Sequence, residues 1–350
     1  MRFHVVSLPH TNTTLDFTAC AFTEKVRKFC RMMSDLGHQV YLYAGEFNAA
    51  PVTEHVCCIT EEQRQEALSG HYTQATFDIS AWHWQVFLRS AIDEIGKRKA
   101  PGDFLCLIGG TSHKPIADAH PDLFAVEFGI GYPGTFAPFR VFESYAWMHT
   151  VYGSENRNPA AADGRFYDAV IPSYFEGEMF PLGRGDGGYL LFVGRLVERK
   201  GYHIAELVAE HLGQELLIAG HGTPPKYGTH VGVVGAEERA QLMGGAVAMF
   251  APTIYVEPFG SVVPEAQMCG TPTITTDWGA FTETVQHGVN GYRCHMLGEF
   301  VQAAQDASSL DRTAIHEIAH SRYSLEAVAP MYDRYFRRLE TLRGRGWYTV

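Results

Sequence analysis

Short apolar runs closed by glycine, proline or polar turns alternate along this chain with longer stretches whose apolar residues recur at helical spacing. The runs 3–8, 39–44, 103–108, 123–128 and 167–172 predict strands in the first half, and 189–194, 215–219 and 244–252 predict strands in the second. Helices are predicted over 22–33, with Val26, Phe29, Cys30 and Met33 on one face, over about 80–97, and over about 202–212. A last helix runs from Leu325 to about Leu342, capped by Ser324, with Val328, Met331, Tyr332 and Phe336 on one face. Alternating strands and helices predict an α/β protein with parallel sheets and crossover helices. The glycine-rich stretch 183–188 reads as a linker and divides the chain into domains 1–185 and 186–323, followed by a terminal helix segment, 324–350.

The most informative segment is Val256-Glu257-Pro258-Phe259-Gly260-Ser261-Val262-Val263-Pro264-Glu265-Ala266, which sets two carboxylates eight residues apart across a tight turn. Ser261 reads as an N-cap whose hydroxyl accepts an early helical N–H. Pro264 then falls in the first turn, where its missing N–H costs little, and Gly270 with Pro272 supplies the stop. Phe259, Gly260 and Ser261 are thereby expected to turn free N–H groups toward an anion. Two acids beside an anion site suit a ligand carrying both hydroxyls and phosphates, and a sugar nucleotide fits. Gly194 and Arg195 close a strand ahead of a helix, the end of an α/β sheet where ligands bind. The plainer reading of Arg195, Arg199 and Lys200 is a solvated basic turn.

The pattern E-P-F-G-x-x-x-x-E-A over 257–266 resembles the signature of the retaining, GT-B-fold glycosyltransferases of family 4. The strand and G-R-x-x-x-x-K-G over 189–201, the strand and glycine turn over 216–222, and the segments 270–277 and 283–292 resemble the family in the same order. The resemblance implies two Rossmann-like domains facing across a cleft, with acceptor-side residues before 185, the nucleotide-sugar donor bound within 186–323, and the last helix crossing back to the first domain. It assigns Arg195 and Lys200 to the donor diphosphate and Glu265 to the ribose hydroxyls. Glu257 is assigned to the donor sugar, Phe259, Gly260 and Ser261 to the anion, and Gly194, Gly220 and Val234 to the borders of the nucleotide. The expected activity is retaining transfer of a glucose-like hexose from a nucleoside diphosphate sugar, UDP-linked, to an acceptor hydroxyl. Catalysis is placed on Glu257, Glu127, Arg195 and Lys200. The Asp-x-Asp signature of metal-dependent transferases is absent, so neither a metal nor a cofactor is expected beyond the nucleotide sugar itself. A GT-B-shaped nucleotide-sugar epimerase and a degenerate sugar-nucleotide-binding protein are the competing readings.

The first half departs from the family. Its first loop carries His10, Thr11 and Asn12 where relatives commonly have paired glycines, and Glu127 stands where many have a histidine. Glu127 is a candidate general base for the acceptor hydroxyl or a structural acceptor of hydrogen bonds; His113 is its rival as base. Tyr132 belongs to an aromatic-rich stretch, 128–152, that either lines an acceptor site or fills core. This stretch, with 18–25 and 274–283, more softly resembles a viral and phage subgroup, which adds hydroxymethylated viral DNA to glycans and small molecules as acceptors. A short permissive linker also predicts a hinge near 183–188 and another near 315–324.

Composition narrows the setting. A net charge of −11 over 350 residues argues against a broad nucleic-acid surface. Arg334, Arg337, Arg338, Arg343 and Arg345 read as a solvated helix face or a local phosphate contact. Seven cysteines at irregular spacing form no disulfide framework and read as buried thiols. The chain opens directly on a strand, without a charged-then-apolar leader, and a cytoplasmic location is expected.

Overall fold

The computed structural model describes residues 1–342 apart from 69, 157, 159 and 161. The chain divides into two compact units. The first comprises 1–143, 150–174 and 328–350, and the second 144–149 and 175–327. In the first, β1 (Arg2–Val6), α1 (Ala21–Asp35), β2 (Gln39–Gly45), β3 (Glu54–Ile59), α2 (Glu61–Ala67), α3 (Trp82–Arg98), β4 (Phe104–Leu107), α4 (Lys114–Ala119), β5 (Phe124–Ile130) and β6 (Phe139–Phe142) succeed one another. Helix α5 (Tyr145–Glu155), which groups with the second unit as far as His149, and the short β7 (Ala169–Val170) follow. All seven strands run parallel in the order β3-β2-β1-β4-β5-β6-β7. The register is set by Phe3 of β1 opposite Val40 of β2 and Phe104 of β4.

A parallel sheet needs both faces covered, so its strands read as continuous apolar runs. On one face Phe29 of α1 packs on Phe3 and Phe128, with ring centroids 6.2 and 4.5 Å apart. On the other, Trp84, Phe87 and Ile95 of α3 bury against Tyr43 and Leu105. Deleting a ring such as that of Phe29 from this core costs about 3–5 kcal/mol.

The second unit repeats the plan with β8 (Leu190–Val193), α6 (Tyr202–Leu212), β9 (Leu216–Ala219), β10 (Thr229–Gly232), α7 (Ala236–Gly245), β11 (Ala248–Ala251), α8 (Val262–Met268), β12 (Thr273–Thr276), α9 (Phe281–Thr284), β13 (Gly291–Cys294), α10 (Leu297–Asp306) and α11 (Arg312–Tyr323). Its six parallel strands lie in the order β10-β9-β8-β11-β12-β13. Alternation along each strand splits the core. Leu190, Phe192 and Phe250 face α6 and α10, while Leu191 and Met249 face α7, α8 and α11. The final helix, α12 (Leu325–Leu342), groups with the first unit from Val328 onward. There Phe336 packs on Phe3 and Phe104 at 4.7 and 4.9 Å. The Ser324 hydroxyl accepts the Ala327 N–H at 3.2 Å, as the capping pattern predicts.

Three expectations change. The run 244–252 is a strand only from Ala248; Gly244 and Gly245 end α7. The glycine linker is not a free hinge, because Gly183, Gly185 and Gly187 donate to the carbonyls of Cys269, Gly244 and Gly245 at 2.9–3.0 Å. Arg312 adds Nε and Nη bonds to the carbonyls of Gly183, Gly244 and Ala246 at 3.0–3.1 Å. The stretch is thereby strapped onto the second unit, and the division into units falls at 174/175 rather than 185/186. Cys57 is exposed rather than buried; the other six thiols are buried and free. On α12 Arg337 pairs with Asp333 at 2.7 Å and Arg334 and Arg338 are exposed, while Arg343 and Arg345 lie outside the described residues. Among the described residues no helix is long and apolar enough to cross a membrane.

Candidate functional site

In a parallel sheet whose order reverses direction, the crevice beyond the strand ends at the reversal is the natural ligand site. In the second unit that point lies between β8 and β11. The loop after β8 carries Gly194, Arg195 and Lys200, and the loop after β11 carries Tyr255, Glu257, Phe259, Gly260 and Ser261. An ion pair joins the two loops, with Lys200 Nζ 2.6 Å from Glu257 Oε2. The pair is largely enclosed, at 22% and 9% side-chain exposure. Lys200 and Arg199 also sit over the Tyr255 ring, 5.0 and 4.9 Å from its centroid. Burial would lower the Lys200 pKa, but the charge of Glu257 and the Tyr255 hydroxyl outweigh it and hold the ammonium above its ordinary value.

Glycine makes this geometry possible. Gly260 has φ +75°, and a Cβ there would lie 2.7 Å from Phe281 and 3.2 Å from Glu257 Cγ. At Gly220 a Cβ would meet the Gly194 carbonyl at 1.9 Å, so the turns after β8 and β9 approach as only bare backbone allows. Ala280 donates its N–H to the Glu257 carbonyl at 3.0 Å, which fixes the glutamate's backbone. The segment before α5 supports the same loop: Ser144 Oγ donates to the Pro258 carbonyl at 2.7 Å, and the Glu283 carboxylate accepts the N–H groups of Tyr145 and Ala146 at 3.0 and 2.8 Å.

Ser261 differs from expectation. It already has helical dihedrals, φ −49° and ψ −31°, and its hydroxyl caps nothing. The N–H groups of Phe259, Gly260 and Ser261 nonetheless have no acceptor among the described residues. Arg195 is exposed and has no carboxylate partner among them. Val234 is half-buried in the turn before α7. Glu265 is buried on α8, and both its oxygens are held by Arg239, a residue the sequence reading passed over. Tyr255 was passed over too, although a ring two residues before Glu257 was there to be seen.

The first unit's reversal lies between β1 and β4, and there the expected roles of several residues change. Glu127 is fully buried; Oε2 accepts the N–H groups of Phe136 and Ala137, each at 2.8 Å, and Oε1 accepts the Tyr132 hydroxyl at 3.3 Å. Burial raises its pKa and these donors oppose the rise. Such a carboxylate fastens the loop 131–137 and is not the free acceptor that a general base requires. His113 is also fully buried, its Nδ1 accepts the Gly109 N–H at 3.2 Å, and burial lowers its pKa to about 3, which makes it a very weak base. Thr11 pairs with Thr23 at 2.6 Å, and Asn12 bonds Glu61 and the Phe47 N–H at 2.8 and 3.2 Å, so neither presents its side chain to a ligand. His10 is 4% exposed, its Nδ1 is unpaired, and burial lowers its pKa to about 4. Among the described residues no group of three or more His, Cys, Asp or Glu is placed to hold a metal ion.

Two Rossmann-like units, each a parallel sheet whose strand order reverses beside its first strand, define the GT-B class of fold. Residues 187–309 match the model of the family described as Glycosyl transferases group 1, the stretch that holds the Lys200–Glu257 pair and Glu265. The chain is 36% identical over 143 residues to glycogen synthase of Mycobacterium tuberculosis, a match covering 36% of this chain and 34% of that protein. It thus spans about a third of that relative's length. Among solved structures, AviGT4, a glycosyltransferase involved in avilamycin A biosynthesis, superposes with TM-score 0.69 at 19% identity over 97% of this chain and 98% of that one. The Anabaena protein HepE in complex with UDP-glucose superposes with TM-score 0.65 at 14% identity over 97% of this chain and all of the other (100%). The expected fold and the glycosyltransferase resemblance are borne out.

Proposed function

We propose that this chain is a retaining glycosyltransferase that moves a hexose from a nucleoside diphosphate sugar, UDP-linked, to an acceptor hydroxyl. The observation that carries the reading is the largely enclosed Lys200–Glu257 pair at the reversal of the second sheet, in loops where the Arg195 side chain and the N–H groups of 259–261 have no partner among the described residues. In this reading the diphosphate draws Lys200 and Arg195 to itself, and they oppose the charge that grows as the nucleotide leaves. Glu257, released from Lys200, accepts from the donor sugar's hydroxyls and stabilises positive charge at the anomeric carbon. Glu265 takes the ribose hydroxyls, since an ionised carboxylate is an acceptor for both. Support comes from the family match over the same residues and from the UDP-glucose held by a structural neighbour.

The first unit takes the acceptor. Its reversal loops, 7–14 and 108–113, contain no Asp, Glu, Lys or Arg, and its two histidines are poor bases. The proton therefore goes to the departing diphosphate. The anomeric carbon–oxygen bond to phosphate breaks, the acceptor oxygen bonds to the same face, and its proton passes to the phosphate oxygen. Incubation with UDP-, GDP- and ADP-sugars and an acceptor panel of glycans, small alcohols and hydroxymethylated DNA tests this. The expected result is free UDP and a product with the donor's anomeric configuration. An epimerised sugar without free UDP would make it an epimerase; binding without turnover on any acceptor would make it a binding protein.

A further inference from the structure

Both oxygens of Glu265 are engaged by another side chain. Arg239, on α7, donates from Nε to Oε2 at 2.9 Å and from Nη2 to Oε1 at 3.2 Å. The pair is largely enclosed, with Arg239 at 18% and Glu265 at 11% side-chain exposure. Helix α7 is tied to the residues that directly follow α8: Thr271 Oγ1 bonds the Met243 carbonyl at 2.5 Å and Cys269 Sγ the Ala240 carbonyl at 3.6 Å. The arginine's backbone is therefore fixed relative to that of the glutamate.

A planar fork on a planar carboxylate locks the carboxylate's rotation, which a single lysine contact does not. The two bonds occupy one acceptor site on each oxygen. A carboxylate offers about four, so one on each oxygen stays open. Two open acceptors on adjacent oxygens match the two neighbouring hydroxyls of a ribose.

We propose that Arg239 is a positioning residue for the nucleotide: it sets the plane of Glu265 so that the free acceptor sites meet the 2′- and 3′-hydroxyls together. The proposal rests on the donor-site reading given above. It makes the arginine a determinant of ribose over deoxyribose without any contact with the ligand. The opposing arrangement is a plug, in which the nucleotide must displace Arg239 to reach Glu265.

Calorimetric titration of the full chain with UDP and 2′-deoxy-UDP separates these, using the wild type, Arg239→Leu and Arg239→Lys; if GDP or ADP is the nucleotide bound, its own 2′-deoxy form serves. The wild type is expected to favour the ribonucleotide by about tenfold, the value of one hydrogen bond to a charged group. In Arg239→Leu, ribonucleotide affinity should fall by about tenfold and the preference should collapse toward one, and Arg239→Lys should restore part of it. An unchanged preference in Arg239→Leu, even with a lowered melting temperature, would show a structural role only and overturn the proposal. Tighter ribonucleotide binding in that variant would also overturn it, in favour of the plug. A wild type that binds none of UDP, GDP and ADP would overturn the donor-site reading itself, and this inference with it.

Discussion

Over their first six strands the two sheets share one order, third-second-first-fourth-fifth-sixth in their own succession, the first sheet adding a seventh at its edge, and both reverse at the same place, yet the two reversals carry different chemistry. In the second unit the loops bring a lysine onto a glutamate at 2.6 Å and carry an arginine with no carboxylate partner among the described residues. In the first unit the equivalent loops hold two buried neutral histidines, and their Thr and Asn side chains are absorbed by neighbours. A common backbone plan thus sets where a ligand can lie, and the loop residues decide whether that ligand is charged. The cations of the charged reversal match the diphosphate of the proposed donor.

The sharpest break between the two should appear with pH. A histidine whose folded pKa lies below its unfolded value, about 6.5, binds fewer protons folded than unfolded, so stability falls as pH drops through that window. For His10 the window runs from about 6.5 down to about 4, and for His113 down to about 3. Each contributes a slope of about 1.4 kcal/mol per pH unit, so together they should remove roughly 4 kcal/mol between pH 7 and 5. Denaturant unfolding at the two pH values measures this. The double variant His10→Phe, His113→Phe should lessen the dependence, the rest coming from other histidines lowered by burial such as His4 and His120, and an undiminished slope would show that neither His10 nor His113 is buried neutral.

Glu257→Gln probes the charged reversal. Turnover should fall by about 100-fold, the order seen when a group aimed at transition-state charge is removed. Nucleoside diphosphate affinity should hold or rise, because Lys200 loses its competing partner. An affinity loss that parallels the loss of turnover would place Glu257 on the nucleotide instead of the sugar.

A smaller effect is expected at Glu127→Gln, which puts an amide where two backbone N–H groups need an acceptor. Stability should drop by about 1–3 kcal/mol, read as a lower unfolding midpoint, with the pH profile of turnover unchanged in shape. If Glu127 were the general base, the profile would lose its ascending limb while stability stayed intact.

Much of this plan was legible before any coordinates. In the second unit β8, β9 and β11 read as apolar runs closed by glycine or proline and the 257–266 spacing showed two acids across a turn, whereas β10 (Thr-His-Val-Gly), β12 (Thr-Ile-Thr-Thr) and β13 (Gly-Tyr-Arg-Cys) lack an apolar run and were not predicted. What escaped was whatever depends on long-range contact. Arg239 lies in an ordinary polar helix, and only the packing of α7 beside α8 makes it Glu265's partner. Glu127 carries the same residue type whether it faces a substrate or three protein donors, and burial alone separates the two. The linker reads as flexible from its glycines, yet those same glycines allow the close backbone approach that Arg312 and the end of α7 exploit. Ser261 has a capping residue's chemistry but enters its helix already in helical dihedrals, so its hydroxyl has no N–H to reach.

Nucleotide binding is expected at the charged reversal and not at the neutral one. Calorimetric titration of UDP into the wild type, Arg195→Ala and His10→Asn tests it most directly. The expected result is a loss of about 1.5–3 kcal/mol for Arg195→Ala, the value of hydrogen bonds to charged groups, and wild-type affinity for His10→Asn. Full affinity in Arg195→Ala together with weakened binding in His10→Asn would contradict it.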